Sequence, residues 1–593
     1  VPGLDFSRAK SIGLVVFNYP EKGQLFESEL SFLGLFAAAE QAANQTVIPT
    51  ELRVQKKTTK SEVGRAMLND PDDPGRHFAT TPMVFSHPVA LMRARSDEIL
   101  HDFKWRVQRN WTGKSSLNGL AGTAFEREQE RVLRVYLRQL LRIGFALLRR
   151  DGFKTLQVFR ATYPEAFEDT TIEKYAGVLA EVMSEVREST GIEMALTKPL
   201  SQANLLAYRR NPVSGVNDDD SFMLSESLAA FGARDDIVAQ PLMERGVCLV
   251  MDMGGGTTDV ALYATEQRGA NVMELASLTD SFRYAGNDIL GLLVNPDVVS
   301  IVEHAIAPEQ DHQSENDDYW RLMLKRAVRN GDAVAALRQA ASEGAMPQAV
   351  LDAITLFFEG LIEYARLVLT PYQRQLAAEP KPITVSVVLL GNGWLLSDLR
   401  WFRGRQPAEE FMATMRRRLE AHLSNGNRTK VVVKYHATSP NGAESAVSVK
   451  ESIAMGAAKF QPRLAMTAKI NPLLSVPGFP LEVNVDGQLD KVEKGGFLNL
   501  AALHYSPKKL INAIDIKSTD VVSPDMRERL SKLLQVDLER LDEHLSEALR
   551  RHIEQYLNTQ LHSPGPVRIS PLAIFLEGLW KEVVVCTAKG VSR

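Results

Sequence analysis

Two kinds of apolar pattern organise this chain. The first is short, continuous and β-branched. Val247–Met251 and Ile383–Leu390 have the length and residue types of buried strands. Each runs into glycines: Gly254, Gly255 and Gly256 after the first, Gly391-Asn392-Gly393 after the second, where a helix is expected to follow. A further apolar run, Val260–Tyr263, comes after the three glycines, so 247–263 reads as strand, tight turn, strand. The second pattern repeats at helical spacing. Val132, Val135, Leu137, Leu140, Leu141, Ile143, Leu147 and Leu148 predict a long helix over 127–150, packed on a core and basic outside, with Gly152 as its stop. Helices are also expected over 171–188 and within 315–375. Leu530, Leu533, Leu534, Leu538, Leu541, Leu545, Leu549 and Ile553 predict helical structure between 525 and 561. Residues 476–500 place Pro-Gly and Asp-Gly turns between short strand-like runs.

Composition narrows the class without naming a function. The 593 residues suggest about two to four domains. With 45% hydrophobic residues, 24% charged and a formal net charge of −4, the profile is soluble and globular, and a nucleic-acid partner is not expected. Of the two cysteines, Cys248 and Cys586, the first lies inside a predicted buried strand. A disulfide framework is therefore not expected, and a reducing, cytoplasmic setting fits. No apolar run reaches the roughly 18 residues a membrane span needs, and no signal peptide is visible.

Candidate chemistry concentrates at the first glycine turn. Glycines let a backbone turn sharply and approach a ligand closely, because no Cβ stands in the way. Successive N–H groups in such a turn form a concave anion site, and Thr257 and Thr258 add hydroxyl donors. Asp252 closes the first strand and Asp259 opens the second. Two carboxylates beside a phosphate cradle would repel the anion alone. A divalent cation between them resolves this, since Mg²⁺ takes oxygen ligands and phosphate together. The plainer alternative is a β-hairpin with a glycine-rich turn, which has no need of acids at both ends.

Asp252-Met-Gly-Gly-Gly-Thr-Thr-Asp259 resembles the second phosphate motif of the Hsp70/actin/sugar-kinase superfamily in its Hsp70-like form. Other segments resemble family motifs in family order. Gly3 to Phe17 has the outline of the first phosphate hairpin, with Asp5 and Ser11 matching; Ser7 and Arg8 replace the family's Gly-Thr. Arg8 either pairs with a phosphate or is a solvated turn arginine. Val47–Val54 is similar to the Ile-Pro-Ser strand, and Ile99–Arg106 to a segment whose lysine reaches the γ-phosphate, here Lys104. Thr155–Phe167 is similar to the Val-Thr-Val-Pro-Ala-Tyr-Phe strand and loop. Ser221–Gly232 resembles the helix crossing between lobes, with Glu226 in the place of the glutamate that acts on Mg²⁺ or its water. Asp280–Leu290 matches at Gly286 and Asp288. Gly391, Asn392 and Gly393 fall at the adenosine motif, and Ser448–Ala458 at the closing helix.

The resemblance implies an α/β fold: a two-lobed actin-like ATPase with ribonuclease-H-like lobes and a C-terminal α+β appendage. Lobe I would span 1–225, lobe II 226–462 and the appendage 463–593. The appendage is either helices packed on lobe II or a partner-binding region for another protein. It does not look like an Hsp70 peptide-binding domain, so no chaperone role follows. The implied ligands are ATP or ADP with Mg²⁺. Asp252, Asp259 and Glu226 would hold the metal shell, and Gly254, Gly255, Gly256 and Thr257 the phosphates, with Lys104 or Arg8 on the γ-phosphoryl group. Three readings follow: an ATPase switch, a nucleotide-binding protein without turnover, and a filament-forming protein. The Leu4-Asp-Phe6 opening and divergent first loop are similar to the virulence-factor SrfB-like proteins.

Overall fold

The computed structural model describes residues 12–13, 51–56, 68–70, 73–80, 99–101, 134, 137–138, 141, 145, 154–163, 169–190, 193–210, 217, 219–232, 246–254, 257–268, 271–282, 284–293, 298, 332–378, 383–399, 409–423, 429–435, 449–460, 482–485, 488–491, 523–560 and 571–591. The strands are β1 (Ile12–Gly13), β2 (Glu51–Lys56), β3 (Leu68–Asp70), β4 (Asp73–Thr80), β5 (Ile99–His101), β6 (Thr155–Leu156), β7 (Phe159–Tyr163), β8 (Glu193–Met194), β9 (Phe222–Ser225), β10 (Gly246–Met253), β11 (Thr258–Arg268), β12 (Asn271–Phe282), β13 (Ile383–Leu390), β14 (Thr429–Tyr435), β15 (Glu482–Val485) and β16 (Gln488–Lys491). The helices are α1 (Asp169–Thr190), α2 (Gln202–Leu205), α3 (Ala207–Arg210), α4 (Glu226–Gly232), α5 (Gly286–Leu293), α6 (Asp332–Ser342), α7 (Gln348–Ala378), α8 (Glu409–Leu423), α9 (Val449–Lys459), α10 (Pro524–Leu534), α11 (Leu541–Gln560) and α12 (Pro571–Val591). The protein is thus mixed α/β.

Two sheets position the site. The first is parallel, in the order β1-β7-β9, with Ile12 beside Phe159 and Tyr163 beside Ser225. The second runs β12-β11-β10-β13-β14. Its first two neighbour pairs are antiparallel and its last two parallel. Antiparallel neighbours need only a tight turn, whereas parallel ones need a crossover. Accordingly α5, α6 and α7 lie between β12 and β13, and α8 between β13 and β14. The helix expected after Gly393 is a 3-10 helix, Asn392–Leu399. Asp-Gly 486–487 separates the paired Val485 and Gln488 of a small hairpin.

The second sheet is covered on both faces, which is why its strands read as continuous apolar runs. Val247, Leu249, Met251 and Met253 face one core, with Phe357, Trp394 and Phe411. Cys248 and Val250 alternate to the other, with Phe222 and Leu224 of the first sheet, Ala229 and Ala230 of α4, and Ile453 and Ala457 of α9. The first sheet's β7 also reaches α9: Arg160, buried over the Phe222 ring, donates to the Phe460 carbonyl at 2.9 Å.

Residues 134, 137, 138, 141 and 145 are helical, as the 127–150 pattern predicts. Leu137, Leu141 and Phe145 are buried, and Arg134 and Arg138 pair with Glu181 and Glu185 of α1 at 2.6 and 2.8 Å. The expected 525–561 span is two helices. Gln535, at φ 55°, turns left-handed after α10 and ends it. α10, α11 and α12 join the larger core through Leu530, Leu534, Leu541, Leu545, Leu576 and Trp580. Among the described residues, no helix is long and apolar enough to cross a membrane.

Candidate functional site

Strand register brings the two aspartates together. Asp252 of β10 is directly opposite Asp259 of β11, which is opposite Ser281 of β12. The two-residue period of a strand puts Asp252 on the face of Cys248 and Val250, the face covered by α4. α4 begins at Glu226, immediately after β9 ends. Glu226 therefore approaches from the carboxyl end of the first sheet, and the aspartates stand at the turn between β10 and β11. Open α/β sheets bind ligands beyond the carboxyl ends of their strands.

The site sets two buried like charges side by side, with a third carboxylate acting on them. Asp252 and Asp259 are buried, at 3% and 2% exposure, and Glu226 is half-buried. Like charges directly opposite each other on a sheet are destabilising. Burial, then the charges of Glu226 and Asp252, holds the Asp259 carboxyl well above its ordinary range. Asp259 Oδ1 is buried with no hydrogen-bond partner among the described residues. A buried orphan of this kind is costly in a free protein.

Two glycine segments meet at this point. The Gly254 N–H donates to the Thr257 carbonyl at 2.9 Å, closing the turn. Gly391 has φ +90°, and a Cβ there would overlap the Met253 carbonyl oxygen and lie 2.5 Å from Asp252 Oδ1. A Cβ at Gly393 would come within 2.7 Å of Met253 Cγ. The turn after β13 thus lies against the turn after β10, and it has to be glycine for the chain's own packing. Trp394 anchors the contact through Nε1 to the Met251 carbonyl at 3.3 Å.

Several predicted site residues have partners inside the fold. Thr258 faces away from Asp259, and its hydroxyl donates to the Tyr284 carbonyl rather than pointing to a ligand. The Gly286 N–H donates to the Gly254 carbonyl at 3.1 Å, tying α5 to the glycine turn. Asp288 accepts from the Ala285 N–H at 2.9 Å and so caps α5. Thr257 is buried beside Asp259. Asp5, Arg8, Ser11, Lys104, Gly255 and Gly256 lie outside the described residues, as does the side chain of Asn392.

Among the described residues, no group of three or more His, Cys, Asp or Glu side chains forms a ready metal cage. The donor chemistry still suits Mg²⁺, which keeps several waters and binds through one or two carboxylates plus phosphate oxygens. A cation beside Asp259 would satisfy its orphan oxygen and reverse the local charge balance.

Sequence reasoning passed over Tyr175 and Ser281. Tyr175 of α1 is buried at 3% exposure, and its hydroxyl has no hydrogen-bond partner among the described residues. In the sequence it reads as a core aromatic at helical spacing. Ser281 joins the aspartates only through pairing register, which a sequence does not display. No known protein family matches this chain, and no curated protein does.

Proposed function

We propose that this protein binds Mg-ATP where its two sheets converge and acts as a slow ATPase whose nucleotide state switches its conformation, in the manner of the Hsp70/actin superfamily. The observation that carries this reading is the acid pair at the glycine turn. Asp252 opposes Asp259, whose buried oxygen lacks a partner, and Glu226 enters from the end of the other sheet.

The topology supports the two-lobed reading. Three parallel strands followed by a helix occur twice: β1-β7-β9 with α4, and β10-β13-β14 with α9. The second sheet is built outward from β10, with antiparallel β11 on one side and parallel β13 on the other. α4 and α9 cross at Gly232 and Gly456, where a Cβ on Gly232 would overlap the Gly456 carbonyl. In this reading Asp252 and Asp259 hold Mg²⁺ and Glu226 orients its water. The cation supplies charge neutralisation on the phosphates. The protein contributes positioning and fixed charge, which is most of what phosphoryl transfer requires.

Thermal unfolding with Mg-ATP, Mg-ADP and Mg-GTP tests the reading on the parent and on Asp252→Asn. A ligand at about 100 times its Kd stabilises by roughly 2.7 kcal/mol. The parent is expected to shift and the variant to shift far less. No shift with any nucleotide in the parent would remove the reading. The Ser7-Arg8 replacement of Gly-Thr favours a second reading, binding without turnover. Phosphate release by a parent that binds ATP separates the two.

A further inference from the structure

We propose that Lys581 is a self-acylating lysine: an activated acyl group, carried as a thioester or an acyl phosphate, transfers to its Nζ with His552 as general base. Glu577 is the residue that positions that base. The three side chains meet on the seam between α11 and α12, and their chemistry needs no nucleotide at the glycine turn.

Helical spacing sets the arrangement. Glu577 and Lys581 are four residues apart on α12 and so share a face. Gly578 lies between them, and a Cβ there would come within 3.1 Å of the His552 ring. The imidazole of α11 therefore lies on the bare backbone of α12, with one nitrogen toward each neighbour. Its Nδ1 is 3.0 Å from Lys581 Nζ, and its Nε2 is 3.7 Å from Glu577 Oε2. His552 and Glu577 are buried, whereas Lys581 is exposed. A base held out of water thus touches a nucleophile that solvent reaches.

Donor chemistry fixes the proton positions. An ammonium donates and accepts nothing, so Nδ1 is the acceptor and the ring carries its proton on Nε2, facing the Glu577 carboxylate. A nucleophile within hydrogen-bond reach of a base, with the base turned toward a third group, is the arrangement that activates weak nucleophiles. Lys198 shows the ordinary alternative, an ion pair with the Asp220 carboxylate at 3.0 Å.

Acyl transfer is the reaction such a pair serves, because an ammonium becomes an amide only by shedding two protons. The first leaves Nζ for Nδ1 and passes on to solvent. The freed lone pair then attacks the acyl carbon. The second proton leaves Nζ for Nδ1 as the C–N bond forms. The C–S or C–O bond of the donor breaks, and the thiolate or phosphate departs with its electron pair. At each transfer the imidazolium faces Glu577, whose charge balances it. The imidazolium finally gives its proton to the leaving thiolate or to solvent. The product has lost the positive charge of Lys581 from the C-terminal surface.

The test incubates the full chain with acetyl-coenzyme A or with acetyl phosphate and follows each lysine by peptide mass spectrometry. Lys532 of α10, an exposed helical lysine, is the internal reference. A positioned general base is worth about 10²–10⁴ in rate, so Lys581 should lead Lys532 by at least about tenfold with one donor or both. His552→Gln keeps a hydrogen-bond acceptor but offers no base, and it should take that lead away. Glu577→Gln keeps the imidazole and should lower the rate at Lys581 while leaving Lys532 unchanged, a difference that general loosening of the helices would not produce. Parent protein in which Lys581 is no faster than Lys532 with either donor overturns the proposal, even if neither variant folds. A lead that survives His552→Gln overturns it as well.

Discussion

Asp259 shows how a single side chain can be placed against stability. It is buried, opposite a second aspartate, with one oxygen orphaned. Asparagine keeps its shape and cannot ionise, so it escapes the burial and repulsion that raise the Asp259 carboxyl. Asp259→Asn is therefore expected to raise ligand-free stability by about 1–2 kcal/mol. The same change should abolish stabilisation by Mg-nucleotide, and denaturant melts with and without ligand read both effects. A variant less stable than the parent without ligand would mean that the Ser281 and Thr257 hydrogen bonds to the Asp259 carboxylate outweigh its burial and the charges beside it. Gln535 is the converse case, a non-glycine residue in the left-handed region with no visible functional return. Its side chain is exposed and its backbone N–H closes onto the Ser531 carbonyl. Glycine there relieves backbone strain but enlarges the unfolded ensemble. A net gain of about 0.5 kcal/mol in Gln535→Gly, measured by urea unfolding, is the expected balance.

At the scale of elements, the controlling contact is the crossing of α4 and α9. Small residues on both helices allow backbone to touch backbone, and Gly232 has no room for a Cβ. Gly232→Ala must push the helices apart, at a cost of about 2 kcal/mol. Because α4 starts at Glu226, the same variant should weaken nucleotide binding although it touches no ligand; calorimetry beside a chemical melt would register the two losses together. The pairing of α7 with α8 carries a pH signature. His422 bonds to Thr370 at 3.0 Å, and burial first, then Arg366, lowers its pKa from the ordinary 6.5. A depressed histidine stabilises fully above the unfolded value and loses that contribution as pH falls through the folded one. His422→Gln should therefore show a smaller drop in melting temperature than the parent between pH 7 and pH 5.5. The elements of the site were readable where burial on both faces left an unbroken apolar run, as in Val247–Met251 and Ile383–Leu390. The glycine turns were readable because close approach excludes every other residue. The register that aligns Asp252, Asp259 and Ser281 was not, since pairing is decided between strands. Nor was the break at Gln535, a residue type that gives no stop signal.

At the scale of the whole molecule, residues 463–593 were expected either as helices packed on the second lobe or as a partner-binding region, and α10 and α12 lie on α7 and share the core of the second sheet. Glu359 of α7 accepts from Arg418 of α8 at 3.2 Å and lies 3.8 Å from Arg529 of α10. Trp580 of α12 meets Phe357 edge-on at 4.9 Å and Tyr284 at 5.9 Å. The Tyr284 carbonyl in turn accepts from Thr258, the neighbour of Asp259. The C-terminal helix therefore stands two side chains from the acid pair, and long-range packing of this kind leaves no local trace in a sequence. Removing the indole leaves a cavity between α7, α12 and the segment leading into α5. Trp580→Ala is expected to cost about 3–5 kcal/mol. Scanning calorimetry distinguishes the consequences. If α12 belongs to the core, the transition that Mg-ATP shifts in the parent is the one Trp580→Ala lowers. If the C-terminal helices were an independent appendage, the variant would split off a small early transition and leave the ligand-sensitive one in place. The shared aromatic cluster predicts the first outcome, because it joins α12 to the segment that packs on the glycine turn.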